Sequence, residues 1–228
     1  MSKAMLLLGV DTCGPSGSVA LACLSGEKLE ILGHTELAGR SYSATLVTAV
    51  GELLTRVGTR LERLHAMVAV NGPGSFTGVR VGLSAVKGLA EPARVPVLAV
   101  SRLEVLSHKT GVLSAALDAH RHEVFLRVAQ EGGAARELLA GSAELVSISQ
   151  PRRIAVCDEA AAQLLGTAWP MVEVIRVAAP TAADAMDLAL PRILAGDFVD
   201  LALLDGHYLR RSDAEIFGEQ ATATAQRA

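Results

Sequence analysis

The sequence predicts an α/β fold made of two related lobes, and three observations support this class. Half of the 228 residues are hydrophobic but only 3% are aromatic, so Ala, Val and Leu must build the core. This composition favours a helix-rich α/β protein over an aromatic-rich β-sandwich. Strand-like and helix-like segments alternate along the chain. Finally, an apolar strand, an aspartate, a polar turn and a second strand occur twice, around Asp11 and around Asp118.

This recurrence indicates an internal duplication with a period of about 105 residues, which suits two lobes better than a solenoid. The alternative is that the pattern recurs by chance. We predict lobes at residues 1–107 and 108–212, followed by a polar tail at 213–228 whose end is frayed.

The first half begins with a predicted β-meander. Met5–Asp11 is an apolar strand, "TCGPSGS" is a turn, and "VALACLSG" and "KLEILGHTEL" are the next two strands. Leu and Val then recur at helical spacing over residues 43–57. The short buried strand "AMVAV" leads through a glycine-rich loop into the helix "VGLSAVKGLAE". Residues 95–101 form another strand, and "LEVLSHK" begins another helix.

The second half follows a similar order. "LSAALDAHRHEVFLRVAQ" contains the second strand–aspartate–turn–strand unit. After it come the strand "RIAVC", the helix "DEAAAQLLG", the strand "VEVIRVA" and the helix "AADAMDLALPRILAG".

Charge, cysteine content and hydropathy exclude several classes of protein. The net charge of −3 provides no overall positive potential that would attract a polyanion. If the chain acts on a nucleic acid, a partner would have to supply most of the binding contacts. Three cysteines without CxxC spacing argue against a disulfide framework and a zinc knuckle, and indicate the reducing cytoplasm. No apolar stretch reaches about 20 residues, so we expect no transmembrane helix. Asp11 ends the first apolar run before a signal peptide could form.

The glycine-rich run "VNGPGSFTGVRVGLSAVKGLA" covers residues 70–90. Helix N-termini suit anions, but this loop has neither the GK[ST] of a Walker A motif nor the dinucleotide GxGxxG. Ser75 and Thr77 are candidate N-caps. Three interpretations stay open: a tight capped turn, an anion site, and the close approach of another chain.

The helix after this loop has two apolar stripes, which predicts burial on two sides. One stripe contains Val79, Leu83, Val86 and Ala90, and the other contains Val81, Ala85 and Leu89. A polar strip of Arg80, Ser84 and Lys87 lies between them. One stripe must face the chain's own sheet; the other faces a further layer of the same chain or a partner chain. Gly82 and Gly88 would allow a neighbouring backbone to come close.

Few residues carry a pattern typical of catalysis. Asp11 and Asp118 end strands before turns, where a carboxylate either faces a metal–phosphate group or stabilises the turn itself. Thr12 is open to the same two interpretations. No HExxH or GxSxG occurs, His120 and His122 belong to a polar turn, and Cys13 has no identifiable partner base.

Five runs together resemble one family: "LLGVDTCGPSGSVAL", "VNGPGSFTGVRVGLSAVKGLA", "LAVSRLEVLS", "ALDAHRHEVF" and "GHYLRRSDAE". They are similar to the TsaB (YeaZ) family, bacterial subunits of the tRNA threonylcarbamoyladenosine machinery. The resemblance implies two RNase H-like lobes of the actin/Hsp70/sugar-kinase (ASKHA) fold. Asp11, Thr12 and Asp118 are then candidates for a vestigial nucleotide site, although "DTCGPSG" departs from the family's "DTST"-type start.

The resemblance also implies partners and a role. The family pairs with its catalytic paralogue TsaD and works with the ATPase TsaE to place threonylcarbamoyl on N6 of adenosine 37 in tRNAs that read ANN codons. This subunit is then a non-catalytic dimerisation subunit without a cofactor or metal, while ATP and magnesium act at the level of the complex. TsaD carries a histidine metal motif on the helix that corresponds here to "AGRSYSATLVTAVGELL", which has no histidine. Tyr42-Ser43 stands where many relatives have His-Ser.

In this family the two helices of the N-terminal lobe form the subunit contact, which also serves a homodimer when TsaD is missing. We expect the contact residues here to be Leu46, Val50, Leu53, Val79, Leu83 and Val86, and we expect Leu46→Glu and Leu83→Glu to break the complex but not the fold. Two other hypotheses stay open. The first is that the chain is an active ATPase or kinase of the same fold. The second is that it is a peptidase, for which the sequence offers neither a metal site nor a nucleophile–base pair.

Overall fold

The computed structural model describes residues 4–129 and 133–210, so the predicted tail at 213–228 lies outside the described residues. The regular elements in chain order are β1 Met5–Asp11, β2 Ser16–Ser25, β3 Lys28–Ala38, α1 Tyr42–Val57, β4 Ala66–Val70, α2 Phe76–Ala93, β5 Val97–Val100, α3 Arg102–Thr110, β6 Ala115–Asp118, β7 Glu123–Val128, β8 Arg136–Gly141, α4 Ser142–Ser147, β9 Arg153–Val156, α5 Glu159–Ala168, β10 Glu173–Arg176 and α6 Ala182–Ala195.

Two five-stranded sheets repeat one topology. The first has the order β3-β2-β1-β4-β5, and the second has the matching order β8-β7-β6-β9-β10. In each sheet the first three strands along the chain are antiparallel neighbours, and the last two run parallel to the first. Asp11 and Asp118 end the corresponding strands β1 and β6. The two sheets therefore have the duplicated architecture that the sequence indicates.

Helix α6 belongs to the core of the first sheet, although it is the last regular element of the described residues. It packs on β1, β2, β4 and β5. Its inward residues Ala182, Ala185 and Ala189 are fully buried in that core. Gly9 makes the approach close, because a Cβ there would lie 2.6 Å from the carbonyl oxygen of Ala182. Small side chains on both elements thus let the helix sit directly on the strand.

Helix α3 lies where the two cores meet. Val105 packs in the core of the first sheet, whereas Leu103 and Leu106 pack with β6 residues of the second sheet. The boundary that we predict between residues 107 and 108 falls inside this helix. The division into lobes at that residue stays a prediction.

One strand of the second sheet and the short helix after it were not predicted from the sequence. Strand β8 and the short helix α4 occupy a stretch for which we made no assignment. β8 is an edge strand with mostly half-buried residues, so it lacks a clean apolar alternation. In the described part of the chain, no helix has both the length and the apolar character needed to cross a membrane.

Candidate functional site

The glycine-rich loop between β4 and α2 packs against the turn that follows β1. A Cβ on Gly74 would lie 2.2 Å from the carbonyl oxygen of Cys13, and a Cβ on Gly78 would lie 2.1 Å from that of Thr12. The backbone N–H of Ser75 donates to the Cys13 carbonyl at 2.8 Å. What approaches these glycines is therefore the chain's own turn at residues 11–14. Ser75 also caps α2, since its side chain accepts from the N–H of Gly78 at 3.3 Å.

We expect Gly78→Ala to lower the free energy of unfolding by about 1–3 kcal/mol, because the new methyl group would overlap a backbone oxygen that cannot move alone. Gly88→Ala on the same helix is the matched control, since a Cβ there meets nothing within 4 Å. That control should be neutral or stabilise by up to about 1 kcal/mol. Urea unfolding of both variants measures the difference, and equal effects would contradict the packing described.

Asp11 is held in a buried ion pair. Its carboxylate accepts from the N–H of Cys13 at 2.8 Å through Oδ1, and its Oδ2 lies 3.3 Å from Nε of Arg102. The two side chains are 1% and 6% exposed. Arg102 is the first residue of α3 and its N–H donates to the Gly72 carbonyl at 2.6 Å, so the glycine loop, the β1 turn and α3 meet here. Both carboxylate oxygens are therefore occupied by the chain itself.

The sequence analysis did not single out Arg102, although one signal was available. A cation in the first turn of a helix opposes the helix dipole, so a buried arginine there requires a nearby carboxylate. Burial is the largest single influence and would lower the pKa of Arg102, but the charge of Asp11, smaller effects of Cys13 and Cys157 and the hydrogen bond to Asp11 together raise that pKa above its ordinary value. The guanidinium therefore stays charged beside Asp11.

The neighbours of Asp11 serve the turn. The Thr12 hydroxyl donates to the Gly78 carbonyl at 2.7 Å and is buried. The Cys13 thiol donates to the Val70 carbonyl at 3.3 Å. Burial and the Asp11 charge raise the pKa of Cys13 well above its usual value, which keeps it a thiol rather than a nucleophilic thiolate. Thr12 and Cys13 thus satisfy backbone groups of their own lobe.

Tyr42 anchors the start of α1 to the same turn. Its hydroxyl donates to the Gly14 carbonyl at 2.9 Å, and its ring lies against Gly17. Burial, followed by the nearby Asp11 charge, raises the pKa of Tyr42 to about 12. The side chain at this position is therefore a neutral hydrogen-bond donor.

Asp118 occupies the corresponding turn of the second sheet but has different partners. Its carboxylate accepts from the N–H of His120 at 2.8 Å and lies 2.9 Å from Nδ1 of the same residue, while its own N–H donates to Asp158 at 2.9 Å. His120, Arg121 and His122 all have φ near +60°, which is rare for residues other than glycine. Among residues 4–129 and 133–210, no group of three or more His, Cys, Asp or Glu side chains is arranged to share a metal ion.

Glu137 of β8 joins elements that are distant in the sequence. Its carboxylate accepts from the Ser101 hydroxyl at 2.6 Å and from Arg127 at 2.8 Å, and it lies 2.8 Å from Nε2 of His207. Burial would raise the pKa of Glu137, but the hydrogen bonds from His207, Ser101 and Arg127 outweigh burial and lower it. This carboxylate ties the start of α3 and the chain near residue 207 to the second sheet.

The pKa of Glu137 is lower in the folded chain than in the unfolded chain. Its ionised carboxylate therefore contributes its full stabilisation at pH values above the ordinary pKa of 4.5, and this stabilisation is lost as the pH falls through the lower pKa of the folded chain. We expect Glu137→Gln to cost about 1–3 kcal/mol at neutral pH and to weaken the loss of stability in acid. Glu159→Gln, in an exposed pair with Arg176, is the control. Urea unfolding across this pH range should leave the control's slope unchanged; an unchanged slope for Glu137→Gln would contradict the prediction.

The contact residues expected on α1 and α2 are buried in the structure. All six lie in the chain's own core, with exposed fractions between 0% and 5%: Leu46, Val50, Leu53, Val79, Leu83 and Val86. The stripe of α2 that contains Val79, Leu83 and Val86 faces the first sheet. Since Leu46 of α1 and Leu83 of α2 are both buried, a glutamate at either position would disrupt the fold itself. Docking of a partner on these two helices stays a prediction, but it needs other side chains.

The exposed apolar residues of the same helices line a groove between α1 and α2. The groove has a volume of about 330 Å³, and its lining includes Val47, Val81 and Ala85 together with the polar residues Ser43, Ser84 and Arg80. Val47 is 55% exposed, and Val81 and Ala85 are half-buried. This groove is the accessible apolar surface that the two helices offer together.

Comparisons with known proteins agree with this architecture. The family model described as "TsaD: tRNA N6-adenosine threonylcarbamoyltransferase" matches residues 34–180. A Haemophilus influenzae protein named "tRNA threonylcarbamoyladenosine biosynthesis protein TsaB" is 37% identical over 127 residues, which are 53% of this chain and 52% of that protein. The Escherichia coli protein of the same name is 35% identical over a similar stretch. The chain spans about half the length of the curated relatives it matches.

A solved structure extends the likeness to the whole fold. A Pseudomonas aeruginosa protein described as similar to the peptidase YeaZ is 26% identical, with a TM-score of 0.72, and the match covers 90% of this chain and all of that one. The two sheets of identical topology and this neighbour confirm the predicted fold class, two RNase H-like lobes of the ASKHA type. Since the family model covers more than half of the chain and YeaZ shares its fold, the chain belongs to the TsaB (YeaZ) family, within the wider family that the TsaD model describes.

Proposed function

We propose that the chain takes part in tRNA threonylcarbamoyladenosine biosynthesis as a non-catalytic dimerisation subunit. Its partners are the paralogous TsaD, which carries the catalytic site, and the ATPase TsaE. The complex transfers a threonylcarbamoyl group to N6 of adenosine 37 in tRNAs that read ANN codons. The names of the relatives support the pathway. The chain works in the cytoplasm, reaches tRNA through the complex and forms a homodimer when TsaD is absent.

The observation that carries the non-catalytic role is the Asp11–Arg102 pair. In a nucleotide-binding lobe pair, a carboxylate at this strand end has to face the metal–phosphate group. Here Arg102 and the Cys13 N–H occupy both oxygens of Asp11, and the side chain is 1% exposed. A divalent cation would have to displace a buried guanidinium, so the site favours an internal ion pair over a magnesium nucleotide. ATP and magnesium then belong to other subunits of the complex.

The α1–α2 groove supports the dimerisation role. Val47, Val81 and Ala85 present apolar surface along two neighbouring helices, which suits a partner that adds helices of its own to form a bundle. A paralogue with the same lobe has such a helix pair. The same geometry also allows two copies of this chain to pair across a twofold axis.

Titration calorimetry with ATP and magnesium, together with a tRNA modification assay, tests this function. The chain alone should not hydrolyse ATP, and magnesium should not strengthen any binding of ATP to it, whereas TsaD and TsaE should modify tRNA only when the chain is added. Tight ATP binding with turnover by the isolated chain would instead support the alternative, an active ATPase or kinase. Peptide cleavage that a chelator abolishes would support the peptidase hypothesis.

A further inference from the structure

The polar strip on α2 borders the α1–α2 groove through Arg80 and Ser84, and it continues to Lys87, which lies outside that groove. Arg80, Ser84 and Lys87 follow one another at four- and three-residue spacing on one side of the helix. They line a cleft of about 350 Å³ together with Asp205, Tyr208 and Arg210 from the chain after α6. This volume falls in the range of pockets that hold a small organic ligand.

The cleft has an excess of positive charge. Within residues 4–129 and 133–210, neither Lys87 nor Arg80 forms a hydrogen bond or ion pair, and the Arg80 guanidinium lies over the Phe76 ring. Arg210 is paired with Glu123. The one carboxylate in the cleft, Asp205, accepts from the N–H of Gly206 at 2.7 Å. Two uncompensated cations on one helix wall favour an anionic group.

Aromatic rings stand beside these cations. Phe76 and Tyr208 lie with their ring centroids 4.9 Å apart at 47°, and the Arg80 guanidinium sits 3.8 Å from the Phe76 centroid. Each ring is 37% exposed. Exposed aromatic rings and guanidinium planes next to cations are the combination on which proteins stack the bases of single-stranded RNA while they hold its phosphates.

We propose that this cleft binds one nucleoside phosphate, with its base against the rings of Tyr208 and Phe76 and its phosphate at Lys87 and Arg80. The ligand is a free nucleotide or an unpaired nucleotide of an RNA strand, which share this chemistry. The site is separate from the Asp11 turn, and its existence does not depend on the proposed role as a dimerisation subunit.

Calorimetry at low salt with the whole chain tests the proposal with four probes: inorganic phosphate, adenosine, AMP and a short single-stranded oligoadenylate. AMP should bind at least about tenfold more tightly than phosphate or adenosine alone, since it engages both the cations and the rings. An oligoadenylate that binds more tightly than AMP identifies RNA as the source, and equal affinities identify the free nucleotide. The proposal is overturned if inorganic phosphate binds as tightly as AMP, or if none of the four probes binds.

Variants locate the site. Lys87→Glu should weaken AMP binding about tenfold or more, whereas Lys28→Glu, the same charge change on the exposed β2–β3 hairpin, should leave it within about twofold. Tyr208→Ala should lose roughly fivefold to a hundredfold, and Tyr208→Phe should retain binding because it keeps the ring. Equal losses for Lys87→Glu and Lys28→Glu would mean non-specific charge attraction and would refute the site. Thermal unfolding of each variant and its association with TsaD, measured separately, distinguish a lost ligand site from a lost fold or a lost partner.

Discussion

Replacing Arg102 with methionine is expected to lower the free energy of unfolding by about 3–5 kcal/mol, because it leaves the Asp11 carboxylate buried without its charged partner. Asp11 is 1% exposed, and the glycine-rich loop packs closely on the turn that follows it. Only the N–H of Cys13 would remain to stabilise the carboxylate. Urea unfolding at neutral pH measures the loss.

Two controls separate burial from the mere loss of an ion pair. Arg153→Met breaks a pair of similar length with Glu173 in which both side chains are about half exposed, and it should change stability by no more than about 1 kcal/mol. The double variant Asp11→Asn with Arg102→Met removes both charges and should recover part of the loss. A single Arg102→Met variant as stable as Arg153→Met would show that Asp11 does not depend on Arg102, and the argument against a cation at Asp11 would fail with it.

The sequence predicted the architecture well because local patterns determine it. Strands β1 and β4 and helix α1 appear as apolar runs or helical periodicity, and the aspartate that ends β1 reappears at the end of β6. The partner of that first aspartate could not be predicted in this way. Arg102 meets Asp11 across 91 residues of chain, and only the tertiary arrangement of α3 against the β1 turn brings them together.

The glycine-rich loop shows the same limit. Its composition indicates a close approach, but a glycine does not identify its neighbour. The structure identifies the neighbours of Gly74 and Gly78 as the carbonyls of Cys13 and Thr12, so the loop serves the chain's own turn. Periodicity likewise revealed two apolar stripes on α2 without indicating which one faces the sheet. The stripe with Val79 and Leu83 does, which is why the contact residues expected from the sequence lie in the core.

The α1–α2 groove leads to the second large effect. Val81→Glu and Val47→Glu are each expected to weaken association with TsaD by roughly thirtyfold or more, because a contact there would bury an unpaired carboxylate. Val47 is 55% exposed, so Val47→Glu should leave the thermal stability of the free chain unchanged, whereas Val81 is half-buried against the core, so Val81→Glu should lower it modestly without unfolding the chain. Size-exclusion chromatography with light scattering and calorimetry against TsaD measure the complex and its affinity.

Two matched variants make this test specific to the groove. Val146→Glu introduces the same charge at a 78% exposed apolar residue of α4 and should leave the complex intact. Leu46→Glu, one residue before Val47, changes a side chain that is 1% exposed and should unfold the chain rather than merely release the partner. If Val47→Glu and Val81→Glu both bind TsaD as the unmodified chain does, the groove is not the contact. Leu46→Glu should then destroy the fold, whereas Val47→Glu should weaken only the complex. The adjacent residues Leu46 and Val47 would therefore mark the boundary between the core of this chain and the surface it offers to a partner.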